Sequence, residues 1–85
     1  MKIRRTDRFK KDYRTLPKDI QRRVDEKLTF LLRDPRHPSL RVHKIRGAKG
    51  LWEFSVTTHY RVLFEINGEF FVLLAAGPHK IVEKR

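Results

Sequence analysis

The chain has no cysteine, which excludes a disulfide scaffold, thiolate zinc sites and cysteine nucleophiles. With four glycines and four prolines in 85 residues, it has no linker-like or low-complexity stretch, and no internal repeat is visible. No apolar run approaches the roughly 18 residues of a membrane-spanning helix, and the opening MKIRRTDRFKKDY lacks the apolar core of a leader peptide. A soluble cytoplasmic protein with no membrane partner is therefore expected, as one domain over residues 1–85. Walker A, GxGxxG, HExxH and GxSxG patterns are missing, and the histidines are too irregularly spaced for a metal site. Neither cofactor nor metal is expected.

Carboxylates are also scarce. Lys and Arg number 21 against 10 Asp and Glu, a formal net charge of +11. The excess is confined to the front: residues 1–50 carry 17 Lys and Arg against 6 Asp and Glu, and residues 51–85 carry 4 of each. Self-repulsion on this scale opposes compaction and is relieved by a polyanionic partner, either a nucleic acid or an acidic protein.

The apolar residues that are present fall into regular patterns. Lys2–Arg5 is a short strand candidate, and Thr6 suits the N-cap of a first helix carrying Phe9, Tyr13 and Leu16 on one stripe. Leu16-Pro17 interrupts the chain, and Pro17 suits the first turn of a second helix. Ile20, Val24, Leu28, Leu31 and Leu32 form its core stripe, opposite Lys18, Arg22, Arg23 and Asp25. Two helices joined this closely make a hairpin that must lie on something apolar. The prolines of Asp34–Ser39 end the second helix, and Leu40–Ile45 reads as an alternating strand.

Residues 51–79 supply the rest of the core. Trp52, Phe54 and Val56 alternate with polar residues, as do Tyr60, Val62, Phe64 and Ile66 in the next strand. Matching the two apolar rows pairs Val56 with Tyr60 across Thr57-Thr58-His59 and places Arg61 with Glu53 and Ser55, away from the helices. Asn67-Gly68 predicts a type I′ hairpin pairing Ile66 with Glu69, which sets Arg61 beside Leu74 of a third strand, Glu69–Ala76. That strand is apolar on both faces, as an interior strand is, and Gly77-Pro78 is expected to end it just before His79. The predicted fold is α+β in two layers, with order β-α-α-β-β-β-β and a helical hairpin packed on an antiparallel sheet.

Arg61, a cation within a sheet, needs an anion. It could be Glu53 or Glu65 on the same face, in a bridge worth at most about 1 kcal/mol if partly exposed, or a phosphate of a ligand. Lys44, Arg46 and Lys49 lie in or near the preceding turn, and His43, His59 and His79 near strand ends. Guanidinium, ammonium and imidazole without a carboxylate cluster suit metal-free phosphodiester cleavage. Imidazole exchanges protons near neutral pH, and a guanidinium stabilises charge developing on phosphorus. His37, between two prolines, reads as a solvated loop residue, and Trp52 and Tyr60 read as core.

These segments, in this order and spacing, resemble toxins of the RelE/ParE superfamily of type II toxin–antitoxin systems over nearly the whole chain, close to the RelE, YoeB and YafQ groups. FKKDYRTLPKDIQRRVDEKLTFLLRDP is similar to the family's helical hairpin, HKIRG and LWEFSV to the segments after it, HYRVLFEI to the arginine-bearing strand and LLAAGPHK to the closing strand. The resemblance implies a ribosome-dependent mRNA endonuclease working without metal, with the ribosome and mRNA as targets and an acidic antitoxin as partner. The toxin would then be a monomer or part of a toxin–antitoxin hetero-oligomer. It implies that Arg61 stabilises the transition state, that His79 acts as acid, base or charge stabiliser, and that His43 is functional. Glu53 could serve as base by loose analogy. Lys44 and Arg46 match a basic segment contacting RNA, to which Arg41, Lys49, Arg22 and Arg23 add charge. The RelE group's strand lysines are replaced by Glu53 and Ser55, and its terminal tyrosine has no counterpart. The same fold also serves ParE-type gyrase inhibitors, and a non-catalytic RNA- or partner-binding module is a further alternative.

Overall fold

A computed structural model of the chain describes residues 1–84, with side chains through Ile81. The elements are β1 (Lys2–Arg5), α1 (Asp7–Thr15), α2 (Lys18–Arg33), β2 (His43–Lys44), β3 (Trp52–Ser55), β4 (Tyr60–Asn67) and β5 (Phe70–Pro78). A 3-10 turn, Pro38–Leu40, precedes β2, and a second, His79–Lys84, follows β5. The strands form one sheet in the order β1-β5-β4-β3-β2, with the helical hairpin on one face.

Thr6 starts α1 and also ties it to the sheet. Its Oγ1 accepts the Phe9 N–H at 3.2 Å as an N-cap, while its hydroxyl donates to the Leu73 carbonyl at 2.7 Å. Asp12, one face along, accepts the Ala76 N–H of β5 at 3.0 Å, a backbone donor that β1 is too short to reach. Leu16 and Pro17 separate the helices, and Gln21 folds back to donate to the Tyr13 carbonyl at 2.9 Å. Pro17 caps α2 from just outside it rather than within its first turn.

Phe9, Ile20, Val24, Leu28 and Leu31 pack from the helices onto Phe54, Val62, Phe64, Phe71 and Leu73. Phe64 is the hub of this core: its ring lies 5.9 Å from Phe54, 5.8 Å from Phe71 and 6.5 Å from Trp52. Truncating a hub of this kind to alanine costs about 3–5 kcal/mol. A smaller cluster on the far face gathers Leu63, Ala75 and Ile81, with Ile45, Leu51 and Leu74 packed against it.

The expected register between β3 and β4 is present: Ser55 pairs with Arg61, and the Val56 N–H donates to the Tyr60 carbonyl at 2.9 Å. Elsewhere the sheet departs from the expectation. It is mixed, because β1 pairs parallel to β5. The β4–β5 turn is Gly68-Glu69, pairing Asn67 with Phe70, since Gly68 takes the positive φ of +60° that a II′ turn needs at its first position. A bulge then makes Leu74 an extra residue on β5, so that Arg61 stands opposite Gly77 instead of Leu74. β5 also runs on through Gly77-Pro78.

The strand expected over Leu40–Ile45 is reduced to His43–Lys44, because Pro38–Leu40 winds into a 3-10 turn and Arg41 takes a left-handed φ of +48°. Leu32 is 45% exposed, lying off the buried stripe that ends at Leu31. His37 is no solvated loop residue: it caps the 3-10 turn and stacks on Phe30 at 4.4 Å.

Candidate active site

The face of the sheet away from the helices carries the charged residues that alternation assigned to it. His43 pairs with Glu53 across β2 and β3, and Glu53 with Leu63 across β3 and β4. Arg61 lies on the diagonal. The Glu53 carboxylate is therefore flanked by two cations or potential cations: His43 Nε2 is 2.9 Å from Oε1 and Arg61 Nε is 3.7 Å from it. Glu53 is only 7% exposed, and its Oε2 is buried without a hydrogen-bond partner in the protein.

The hydrogen bonds of His43 fix where a proton must be. Nδ1 lies 2.8 Å from the Arg41 carbonyl, which can only accept, so Nδ1 carries hydrogen. Nε2 is then the ring nitrogen turned toward Glu53 Oε1, in position to exchange a proton with it. His43, with a side chain 53% exposed, is the end of the pair that opens to solvent.

Arg61 is held by its own turn. Nη1 donates to the carbonyls of Thr57 at 2.6 Å, Thr58 at 3.2 Å and Tyr60 at 3.1 Å. Its side chain is 19% exposed, at the bottom of a cleft of about 260 Å³ lined also by Lys27, Ser39, Arg41, Ser55 and Thr57. No carboxylate lines that cleft.

The remaining expected site residues divide into those near this centre and those apart from it. His79 follows the strand residue opposite Tyr60, and its N–H donates to the His59 carbonyl at 2.8 Å, pinning the end of β5 to the β3–β4 turn; its imidazole makes no hydrogen bond to Arg61, Glu53 or His43. Arg41 reaches the Arg61 cleft. Lys44 does not: it pairs with Trp52 on the helix-side face, with its ammonium 5.3 Å over the indole. Arg46 is exposed in the turn, and Lys49 lines a far-face hollow with Leu51, Leu63 and Leu74. Arg22 and Arg23 sit beside Asp19 and Glu26 on α2, across the sheet from Arg61. Glu65 makes no salt bridge to Arg61. Sequence reasoning placed His43 among the candidates but missed its bond to Glu53, which only the β2–β3 pairing reveals. No group of three or more potential metal ligands occurs among the described residues.

A sheet in this order under a helical hairpin is the fold of a class of small toxins. The chain belongs to the family of ParE toxins of type II toxin–antitoxin systems, within the RelE/ParE superfamily; that family's model matches residues 3–81. Solved structures agree at the level of fold. The YafQ structure from E. coli superposes with a TM-score of 0.78 at 15% identity, over 94% of each chain. The RelE toxin of the RelB–RelE complex from Methanococcus jannaschii gives 0.77 at 18% over 95% of each. A YoeB/ParE toxin from Agrobacterium tumefaciens gives 0.78 at 16%, over 93% of this chain and 99% of that one. No curated protein sequence matches the chain.

Proposed function

We propose that this toxin cleaves mRNA at the ribosome by a metal-free, 2′-OH-assisted reaction in the cytoplasm. The observation that carries the reading is the close His43–Glu53 pair, sharing its carboxylate with Arg61 on the open face of the sheet. In this reading His79 takes the proton of the 2′-OH as its oxygen attacks the phosphorus. Arg61 stabilises the charge on the pentavalent phosphate. His43, entering the step as an imidazolium, swings from Glu53 and gives a proton to the departing 5′ oxygen, leaving a 2′,3′-cyclic phosphate and a 5′-OH. Glu53, too buried to reach RNA itself, positions His43, which regains its proton from solvent.

Similar toxins have been solved with antitoxins: RelE with RelB from M. jannaschii and Pyrococcus horikoshii, and YafQ with DinJ from E. coli. With a net charge of +11, this chain suits an acidic antitoxin as its own partner.

Toe-printing on translating ribosomes tests the reading. The unaltered chain should truncate mRNA, and Arg61→Ala and His79→Gln should each abolish cutting. The match to ParE toxins favours a second reading, in which the target is DNA gyrase. Inhibited supercoiling with intact mRNA, undiminished in His79→Gln, would select it.

A further inference from the structure

Arg41 belongs to the lining of two hollows: the Arg61 cleft, and a second notch of about 340 Å³ walled by Trp52, Pro35, Pro38, Val42 and Arg36. We propose that the Trp52 notch takes a base of single-stranded nucleic acid, with Arg41 holding the phosphate next to it. The proposal needs binding only, and stands whether or not the strand is cut.

Shape, charge and backbone each support it. Trp52 packs on Phe64 from the core side and remains partly exposed. Lys44, with its ammonium 5.3 Å over the indole, adds a cation beside the notch, so that a base entering it meets Trp52 at the ring edge the notch exposes. The opposite wall is rigid: prolines flank His37, which is stacked on Phe30 and bonded through Nδ1 to Ser39 Oγ at 2.8 Å. Arg36, Arg41 and Lys44 make no salt bridge among the described residues, and neither cleft has a carboxylate in its lining. Finally, Arg41 stands at φ +48°, a conformation that L residues adopt at a cost and glycine adopts freely. An acidic peptide would satisfy the cations but would leave the indole–proline slot without a ring to fill it.

Trp52 is the only tryptophan, so intrinsic fluorescence reports from the notch itself. The full chain is titrated with a short 2′-O-methyl oligoadenylate, which cannot be cleaved through its 2′ position, with its duplex, and with polyglutamate. Saturable quenching by the single strand alone is expected. Arg41→Gly should leave the melting temperature unchanged or higher, raise Kd about tenfold, and lower the salt slope by about 0.7. In anisotropy titrations of a labelled strand, Trp52→Leu should raise Kd about tenfold or more while Trp52→Phe keeps most of the affinity. Equal quenching by the duplex overturns base insertion. Quenching by polyglutamate alone assigns the notch to a protein partner. Strand binding that leaves Trp52 emission and the Arg41→Gly affinity unchanged places the nucleic acid elsewhere.

Discussion

Replacing Glu53 by methionine should leave the protein as stable as before, whereas the same replacement of its neighbour Arg61 should come close to unfolding it. The asymmetry follows from burial. Across 3.7 Å the attraction between Glu53 and Arg61 is about 4 kcal/mol at an effective dielectric of about 20. Desolvating a carboxylate that is 7% exposed costs several kcal/mol, and its partnerless Oε2 adds about 1–3. The bond to half-exposed His43 returns at most about 1. Glu53→Met removes all of these at once, and Arg61 keeps its three carbonyl acceptors, so stability should stay within about 1 kcal/mol or rise by up to about 2. Arg61→Met instead leaves the buried carboxylate without its guanidinium, at a cost of about 3–5 kcal/mol. For a domain of this size each kcal/mol moves Tm by about 4–8 °C, so the single variants should differ by more than about 12 °C in thermal melts. The double variant should recover to near the parent, giving a coupling energy of about 3 kcal/mol. If Glu53→Met melts as low as Arg61→Met, the carboxylate is a net structural tie and the reasoning fails. A Glu53→Met protein that is stable but no longer toxic would mark the carboxylate as kept for its chemistry.

Other consequences are open to direct measurement. Thr6→Ala loses both the N-cap of α1 and the hydroxyl bond to Leu73, and should cost about 1–2 kcal/mol in urea titrations. Burial, then the hydrogen bond to and the charge of Asp25, push the Tyr13 phenol above its ordinary value near 10. Because the folded state holds that proton more tightly, this contribution is intact below about pH 10 and lost as pH rises through the folded value. Melts across that range should therefore fall more steeply for the parent than for Tyr13→Phe. At Gly77 an added Cβ would lie 3.1 Å from the tip of Ile81. Gly77→Ala should cost less than about 1 kcal/mol because that tip can move, and Gly77→Val about 1–3 kcal/mol with loosening of the turn that begins at His79.

The parts of this fold that were legible in the sequence are those where one face is apolar and the other is not. Trp52, Phe54 and Val56 against Tyr60, Val62 and Phe64 allow a single register, and that register put Arg61 on the right face. Thr6 announced its helix because a hydroxyl before an amphipathic stripe has one evident use. β5 gave no such constraint: Phe71, Val72, Leu73, Leu74 and Ala75 are apolar on both faces, so neither the slip at Asn67 nor the bulge at Leu74 leaves a trace in alternation. β1 offers only Ile3, too little to reveal a parallel partner nearly seventy positions away. Within the candidate site, the Arg61–Glu53 contact followed from a shared face, but the His43–Glu53 bond required knowing that two residues of β2 pair at all. Lys44 shows the converse, since nearness in sequence to His43 put it on the opposite face.

The parallel pairing of β1 with β5 also governs when the protein comes into being. Lys2 to Arg5 are synthesised well before their partners, Phe70 to Leu73. Until then β4 lacks a neighbour on one side, α1 lacks the carbonyl that Thr6 holds, and the Phe71 edge of the Phe64 hub is missing. Contacts this distant in sequence form late and slowly. A growing chain can therefore carry His43, Glu53 and Arg61 on β2, β3 and β4 before β5 completes the sheet beside them.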